Sequence, residues 1–257
     1  MKKLGVIAAL LLVAHLVYAS PSNTDKLYQQ HCASCHAATR LGGMGPALLP
    51  ENLKRLRKTK AIKVISNGRA ATQMPAFAKK LTKDEIEALA EYVYTPLAKI
   101  PKWGIDEIKK SHLTHFKSKN LSNKPVFKAD MLNLFIVVEL GDHHATLLDG
   151  DKFEPIQRFK TRFALHGGPK YSPDGRYVYF ASRDGWISKY DIYNLKTVVE
   201  IRAGINTRNV AVSGDGKTVL VGNYLPHNLV VLDAETLKPI KVIPVKDKKG
   251  KSSRVSA

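Results

Sequence analysis

The sequence predicts a two-domain chain, a small helical domain followed by short antiparallel sheets, and three observations carry that prediction. A compact cluster, Cys32-Ala33-Ser34-Cys35-His36, lies in a stretch of helical periodicity. From about Lys128 the texture changes to short β-rich runs bounded by Gly, Asp, Asn and Pro. Those runs then repeat with a period in the low forties, the mark of β-propeller blades.

Lys2 and Lys3 precede an apolar run from Leu4 to Val17, and Val17-Tyr18-Ala19 offers small residues for cleavage. This reads as a secretory signal over residues 1–19, too short and wrongly flanked for a membrane span. It predicts a mature chain beginning near Ser20 in the bacterial periplasm. No other segment is long and apolar enough to cross a bilayer. The formal net charge is +19, and about +17 once the two leading lysines are removed. A secretory address argues against nucleic acid as the reason for that charge. Steering of an acidic redox partner, or of a ligand carrying several carboxylates, fits it, as does plain solvation of the surface.

The CxxCH spacing is the one that attaches a c-type haem. Cys32 and Cys35 would form thioethers with the vinyl groups, and His36 would coordinate the iron axially. A structural zinc site fits poorly because a second cysteine pair is lacking, and a redox dithiol has no use for the histidine. Both cysteines are spent on haem, so no disulfide is expected.

The predicted helical domain covers residues 20–100. Asn23 or Thr24 can cap a helix running into the motif, with Leu27 and Tyr28 available for packing. A glycine-rich loop, Leu41-Gly42-Gly43-Met44-Gly45-Pro46-Ala47-Leu48, comes next, then an amphipathic stretch over roughly Glu51 to Asn67. Gln73-Met74-Pro75 sits in a loop before a final helix. Thr82-Lys83-Asp84-Glu85 is a capping box for that helix, and Ile86, Leu89, Ala90 and Val93 share one face of it. Met44 and Met74 are the two candidates for a second axial ligand, and either could instead merely fill a gap in the core.

A basic, irregular linker is predicted over residues 101–127, holding His112 and His115. In the blade region, residues 128–257, the triplets Leu147-Leu148-Asp149, Lys189-Tyr190-Asp191 and Val231-Leu232-Asp233 recur 42 residues apart. Ser172-Pro173-Asp174-Gly175-Arg176 and Ser213-Gly214-Asp215-Gly216-Lys217 recur 41 apart, and each Asp-Gly opens a tight turn into an alternating strand. About three units fit before Ala257, whereas propellers close with four to eight. Ser252-Ser253-Arg254-Val255-Ser256 is similar to Thr207-Arg208-Asn209-Val210-Ala211, as though another blade were starting. The chain is therefore expected to be a fragment or a truncated gene product. His143 and His144 fall on a predicted turn, and His227 follows a proline in a loop.

The helical part resembles a class I cytochrome c, and its loop Met-Pro before the last helix implies Met74 as the axial thioether. The whole mature chain resembles the cytochrome cd1 family, in which an eight-bladed propeller holds haem d1. The resemblance is carried by Phe163-Ala164-Leu165-His166-Gly167-Gly168, Ser182-Arg183-Asp184-Gly185, Asn206-Thr207-Arg208-Asn209 and Gly222-Asn223-Tyr224-Leu225-Pro226. It implies His166 as the proximal ligand of the haem d1 iron, with two glycines behind it so that backbone can approach a flat ring. Arg183 and Arg208 are implied to hold the pigment's carboxylates, and Tyr224 to line the pocket.

Two branches of the family follow from this, a nitrite reductase and a dehydrogenase of haem d1 biosynthesis. The phrases Arg40-Leu41-Gly42-Gly43-Met44-Gly45-Pro46 and Ala164-Leu165-His166-Gly167-Gly168-Pro169 look closer to the dehydrogenase. That branch would turn a propionate of dihydro-haem d1 into an acrylate and pass electrons to haem c. The resemblance implies haem c, haem d1 or its dihydro precursor, a periplasmic electron acceptor or donor, and a nitrite reductase as recipient of the pigment. A catalytic base and any distal ligand are expected beyond residue 257. A carrier that only holds the tetrapyrrole, or only moves electrons, is the reading from another functional class.

Overall fold

The computed structural model describes residues 21–99, 101–253 and 255; the predicted signal segment, and Arg254 and Ser256 of the closing stretch, lie outside them. The helical domain holds α1 (Pro21–His31), α2 (Ala33–His36), α3 (Pro50–Leu53), α4 (Lys58–Asn67) and α5 (Lys83–Tyr94). The stretch predicted as one amphipathic helix over Glu51–Asn67 is two, α3 and α4. Leu56 lies in the turn between them and packs inward on the domain core.

Helix α5 begins as its capping box predicts. Glu85 N–H donates to Thr82 Oγ1 at 3.3 Å, and Thr82 N–H donates to Glu85 Oε2 at 2.8 Å. Such a cap contributes about 1 kcal/mol. Ile86, Leu89, Ala90 and Val93 are buried as the pattern requires, and they close on Tyr28, Leu53, Phe77 and Leu81.

The segment expected as an irregular linker carries α6 (Ile105–Lys110), β1 (Leu113–Thr114) and a short 3-10 turn over Ser118–Asn120. Ile108 is fully buried in the core between the second and third sheets, which pins α6 to the blades. Three antiparallel sheets follow. The first pairs β2 (Leu134–Glu139), β3 (His144–Asp149) and β4 (Glu154–Lys160). The second holds β5 (Lys170–Tyr171), β6 (Tyr177–Ala181), β7 (Trp186–Asp191) and β8 (Lys196–Arg202), and β1 adds to its outer edge through Leu113 opposite Glu200. The third holds β9 (Asn206–Val212), β10 (Thr218–Leu225), β11 (Asn228–Asp233) and β12 (Pro239–Pro244).

The repeat has a physical cause. The carboxylates of Asp149, Asp191 and Asp233 each end a strand and accept turn amides, from Asp151 at 2.9 Å, Asn194 at 3.3 Å and Thr236 at 2.7 Å. In the other recurring turn, Ser172 and Ser213 donate to Asp174 and Asp215, which accept from Arg176 and Lys217 backbone amides. Gly175 and Gly216 take φ of +71° and +70° there, a region that glycine enters without steric cost.

The blades stack through apolar faces. Leu147, Val178, Phe180 and Tyr190 fill the space between the first two sheets, and Ile187, Ile201, Val219 and Val230 that between the second and third. Lys189, only 3% exposed, lies 3.9 Å from the Tyr177 ring centre and donates to the Glu235 carbonyl at 2.9 Å. Burial draws its ammonium down to about 8.

Candidate functional site

In the helical domain Cys32, Cys35 and His36 lie on consecutive turns of one helical segment. Helix α1 turns directly into α2, with Cys32 N–H donating to the Tyr28 carbonyl at 2.8 Å and His36 N–H to the Cys32 carbonyl at 2.9 Å. Cys32 and Cys35 are thereby one helical turn apart, and both are free and half-buried thiols. Burial, aided by Cys35, pushes the Cys32 thiol up to about 11. The His36 ring is buried, and its Nδ1 lies 2.7 Å from the Pro46 carbonyl. Nδ1 therefore carries the proton and donates, which leaves the Nε2 lone pair as the coordinating atom. A Cβ on Gly45 would stand 2.6 Å from His36 Cε1, so only glycine lets this loop lie on the imidazole.

The two methionines separate in space. Met74 packs on the core that contains Cys32 and Ala33, whereas Met44 is 54% exposed. His31 meets the edge of the Phe77 ring at 6.0 Å. The Cys32 thiol and the Met74 thioether on one apolar core, with the Cys35 thiol and an unprotonated His36 nitrogen in the same segment as Cys32, form a donor set that fits a covalently held haem.

The second group of residues comes together where the second sheet meets the third. His166 is fixed by its amide, which donates to the Ala181 carbonyl at 2.7 Å, beside a lone bridge between Leu165 and Ser182. Its Nδ1 donates to the Arg208 carbonyl at 2.9 Å, and its Nε2 accepts from Arg208 Nη1 at 2.7 Å. Burial, seconded by the charges of Arg183 and Arg208, holds this imidazole below the ordinary histidine range, against the pull of the Arg208 carbonyl. With Nδ1 donating and Nε2 accepting, the ring has the contacts of the neutral tautomer, the form in which histidine binds a metal.

Arg183 N–H donates to the Ala164 carbonyl at 3.1 Å, and the Arg208 guanidinium lies 5.9 Å from the Tyr224 ring centre. All four residues predicted for this pocket are thus neighbours. A cavity of about 190 Å³ opens beside His166, walled by Val138, Leu140, Leu165, Phe180 and Ala181. The two glycines after His166 differ. A Cβ on Gly167 would stand 2.2 Å from Asn209 Oδ1, so this glycine is required by the neighbouring strand, whereas Gly168 is exposed with room around it and is favoured as glycine only by its φ of +72°.

Several residues at the junction of the two domains carried no sequence signal of their own. Arg202 donates through Nε to the Asp184 carbonyl and through Nη2 to the Leu41 carbonyl, both at 2.7 Å, which ties the second sheet to the glycine-rich loop. Trp103 lies beneath its guanidinium at 4.8 Å and donates to its carbonyl at 3.1 Å. Around this clasp Ala47, Leu49 and Ile205 form a small shared core with Leu41, Leu97 and Leu225. Arg40, buried and bonded to the carbonyls of Leu48, Val93 and Thr95, anchors the same loop to the end of α5.

A CxxCH turn on a small helical domain, docked to antiparallel blades that bring a histidine among arginines, has the architecture of a c-type cytochrome joined to part of a propeller. Residues 129–257 match the family model described as Cytochrome D1 heme domain, and the chain belongs to that family. Residues 19–93 match the model described as Cytochrome C oxidase, cbb3-type, subunit III.

A dihydro-heme d1 dehydrogenase of Pseudomonas aeruginosa is 56% identical over the whole of this chain and 52% of its own length. A nitrite reductase of Stutzerimonas stutzeri is 26% identical over 93% of this chain and 46% of its own. The solved structure of the dihydro-heme d1 dehydrogenase NirN in complex with DHE superimposes with a TM-score of 0.83 at 58% identity, covering 91% of this chain and 50% of that one. The chain spans about half the length of these relatives. Among the described residues no helix is long and apolar enough to cross a membrane.

Proposed function

We propose that this chain is the haem c domain and first blades of a periplasmic oxidoreductase that converts a propionate of dihydro-haem d1 to an acrylate. The observation that carries the reading is the pairing of two ligand sites on docked domains, His36 with its thiols on one and His166 with its arginines on the other. The 56% identity to a dihydro-heme d1 dehydrogenase supports it over the nitrite reductase reading, where identity is 26%.

In this reading Cys32 and Cys35 would hold haem c covalently, and His36, through Nε2, and Met74 would be the side chains that ligate its iron. Bound haem supplies one-electron redox capacity at this position. His166 takes the tetrapyrrole iron through Nε2. That atom now accepts from Arg208, so the guanidinium must turn away, and a carboxylate of the ligand is a natural acceptor for it. Arg183 holds a further carboxylate, and Tyr224 lines the pocket. The substrate loses one hydrogen from each of two adjacent propionate carbons. Two C–H bonds break, one C=C bond forms, and two protons and two electrons leave. A periplasmic acceptor takes up the two electrons, for which a haem c held at Cys32 and Cys35 would supply the one-electron relay, and the finished pigment passes to a nitrite reductase.

The test expresses the gene, with any frame that continues past the codon for Ala257, in a periplasm that attaches haem c. Conversion of dihydro-haem d1 to haem d1 with an electron acceptor, and no turnover of nitrite, is the expected result. Nitrite reduction by the same protein would favour the other branch. Tight binding of the pigment with the precursor unchanged would leave a carrier.

A further inference from the structure

Arg208 touches His166, the charges of Arg69 and Arg55 bear on Arg183 beside it, and among the described residues none of these four guanidinium groups pairs with a carboxylate. Arg183 and Arg208 belong to the blades. Arg55 lies in the turn between α3 and α4, and Arg69 follows α4, so both belong to the helical domain. By contrast Arg158, Arg162 and Arg176 each hold an aspartate or glutamate at 3.0 Å or less, and Arg40 and Arg202 are satisfied by backbone carbonyls.

Two contacts bring the helical domain to the pocket. The Ala71 carbonyl lies 3.4 Å from where a Cβ on Gly141 would stand, which sets the loop after α4 against the turn joining β2 to β3. On the other side α3, which ends two residues before Arg55, packs on β10, the strand that carries Tyr224. Arg183 keeps an exposed face, yet protein crowds its head. That loss of hydration, with the charges of Arg208, Arg69 and Arg55 in that order, holds its guanidinium below the ordinary arginine range. Four like charges within mutual reach repel one another, and a polyanion seated among them relieves the repulsion.

We propose that Arg55 and Arg69 of the helical domain join Arg183 and Arg208 in one carboxylate-binding rim, so that a polycarboxylate tetrapyrrole at His166 is gripped by both domains at once. This rests on the reading of His166 as a tetrapyrrole site. A planar guanidinium suits the task because it offers paired donors to each carboxylate. The rim also does a second thing: a ligand whose carboxylates radiate from one flat ring cross-links the domains and fixes its own position relative to haem c.

The experiment uses the haem c-loaded chain and titrates in dihydro-haem d1 and its fully esterified derivative, read by tryptophan quenching and the pigment's absorption change. The wild type is expected to bind the free acid at least about tenfold more tightly than the ester. Arg55→Gln and Arg69→Gln should each weaken acid binding about fivefold, and together about 25-fold, with ester binding unchanged and a shallower salt dependence. Arg57→Gln, a nearby arginine outside the rim, should change neither. If the double variant binds the acid as tightly as the wild type while His166→Ala abolishes binding, the rim is wrong and the pocket stands. If the wild type binds neither compound, or His166→Ala binds both normally, the pocket reading fails and the rim fails with it.

Discussion

The two ligand sites are built on opposite scales. The proposed haem c clamp needs five consecutive residues, one turn of helix and one returning loop, and the loop is held mainly by neighbours in sequence, through His36 to Pro46 and the Gly42 and Gly45 amides to the His36 and Cys35 carbonyls. The His166 pocket instead takes its histidine from the entry to the second sheet, Arg183 from the turn between β6 and β7, and Arg208 and Tyr224 from the third sheet, with the proposed outer rim coming from another domain. A local site survives as long as its helix forms. A distributed site exists only while blades and domains stay docked, so its fate is tied to packing far from the ligand. The expected outcomes below, taken in falling order of size, test that contrast.

The largest effect belongs to the local site. Replacing Cys32 and Cys35 together by alanine removes both points of attachment and should abolish covalent haem completely in the denatured, alkaline-pyridine spectrum. The β-sheet signal in circular dichroism should remain, because no blade contact is touched. Loss of the sheets in this variant would show that the domains fold as one unit, and the contrast would fail.

For the distributed site, His166→Ala should weaken tetrapyrrole binding more than about 100-fold, since the axial ligand and its Arg208 contacts vanish together. The haem c spectrum should not change. Binding within about threefold of wild type would mean that the pigment sits elsewhere.

How far each site was legible in the sequence follows the same division. CxxCH, the Thr82–Glu85 box and the Asp149, Asp191 and Asp233 turns were readable because each works through backbone within a few residues of itself. The interblade cores were readable as alternation. The basic stretch after Pro101 was not, because what orders it is distant: Ile108 buried against the blades and Leu113 paired with Glu200. Arg202, Arg55 and Arg69 carried no signal at all. Among 41 lysines and arginines, nothing local marks the few that reach a neighbouring domain. Met74 and Met44 were separable only by a family likeness until their burial distinguished them.

The domain clasp sharpens the contrast further. Arg202→Leu forfeits the bonds to the Asp184 and Leu41 carbonyls and the stacking on Trp103, and should cost about 3 kcal/mol or more of stability. Denaturant midpoints would register the loss. Tetrapyrrole affinity should fall with it although Arg202 is not placed against the ligand, while haem attachment at Cys32 and Cys35 continues. Equal damage to both sites would mean that the clasp holds the helical domain itself together.

The smallest effect is a pH dependence, and it too arises from long-range assembly. Asp184 is 3% exposed, bonded to the Ser182 hydroxyl and next to Arg183, and burial raises its carboxyl from 3.8 to about 6 despite the opposing pull of Ser182 and Arg202. A carboxyl with a higher value folded than unfolded binds its proton more tightly in the folded chain. Its contribution to stability is therefore greatest below about pH 4, falls as the pH rises through 6, and is constant above that, with a total swing on the order of 2–3 kcal/mol. Asp184→Asn cannot ionise, so the variant should gain on the wild type by that amount between pH 4 and 7 in urea midpoints. A wild type that instead gains on the variant as the pH rises would mean that the Arg202 charge outweighs burial, and that Asp184 acts as the anionic half of the clasp.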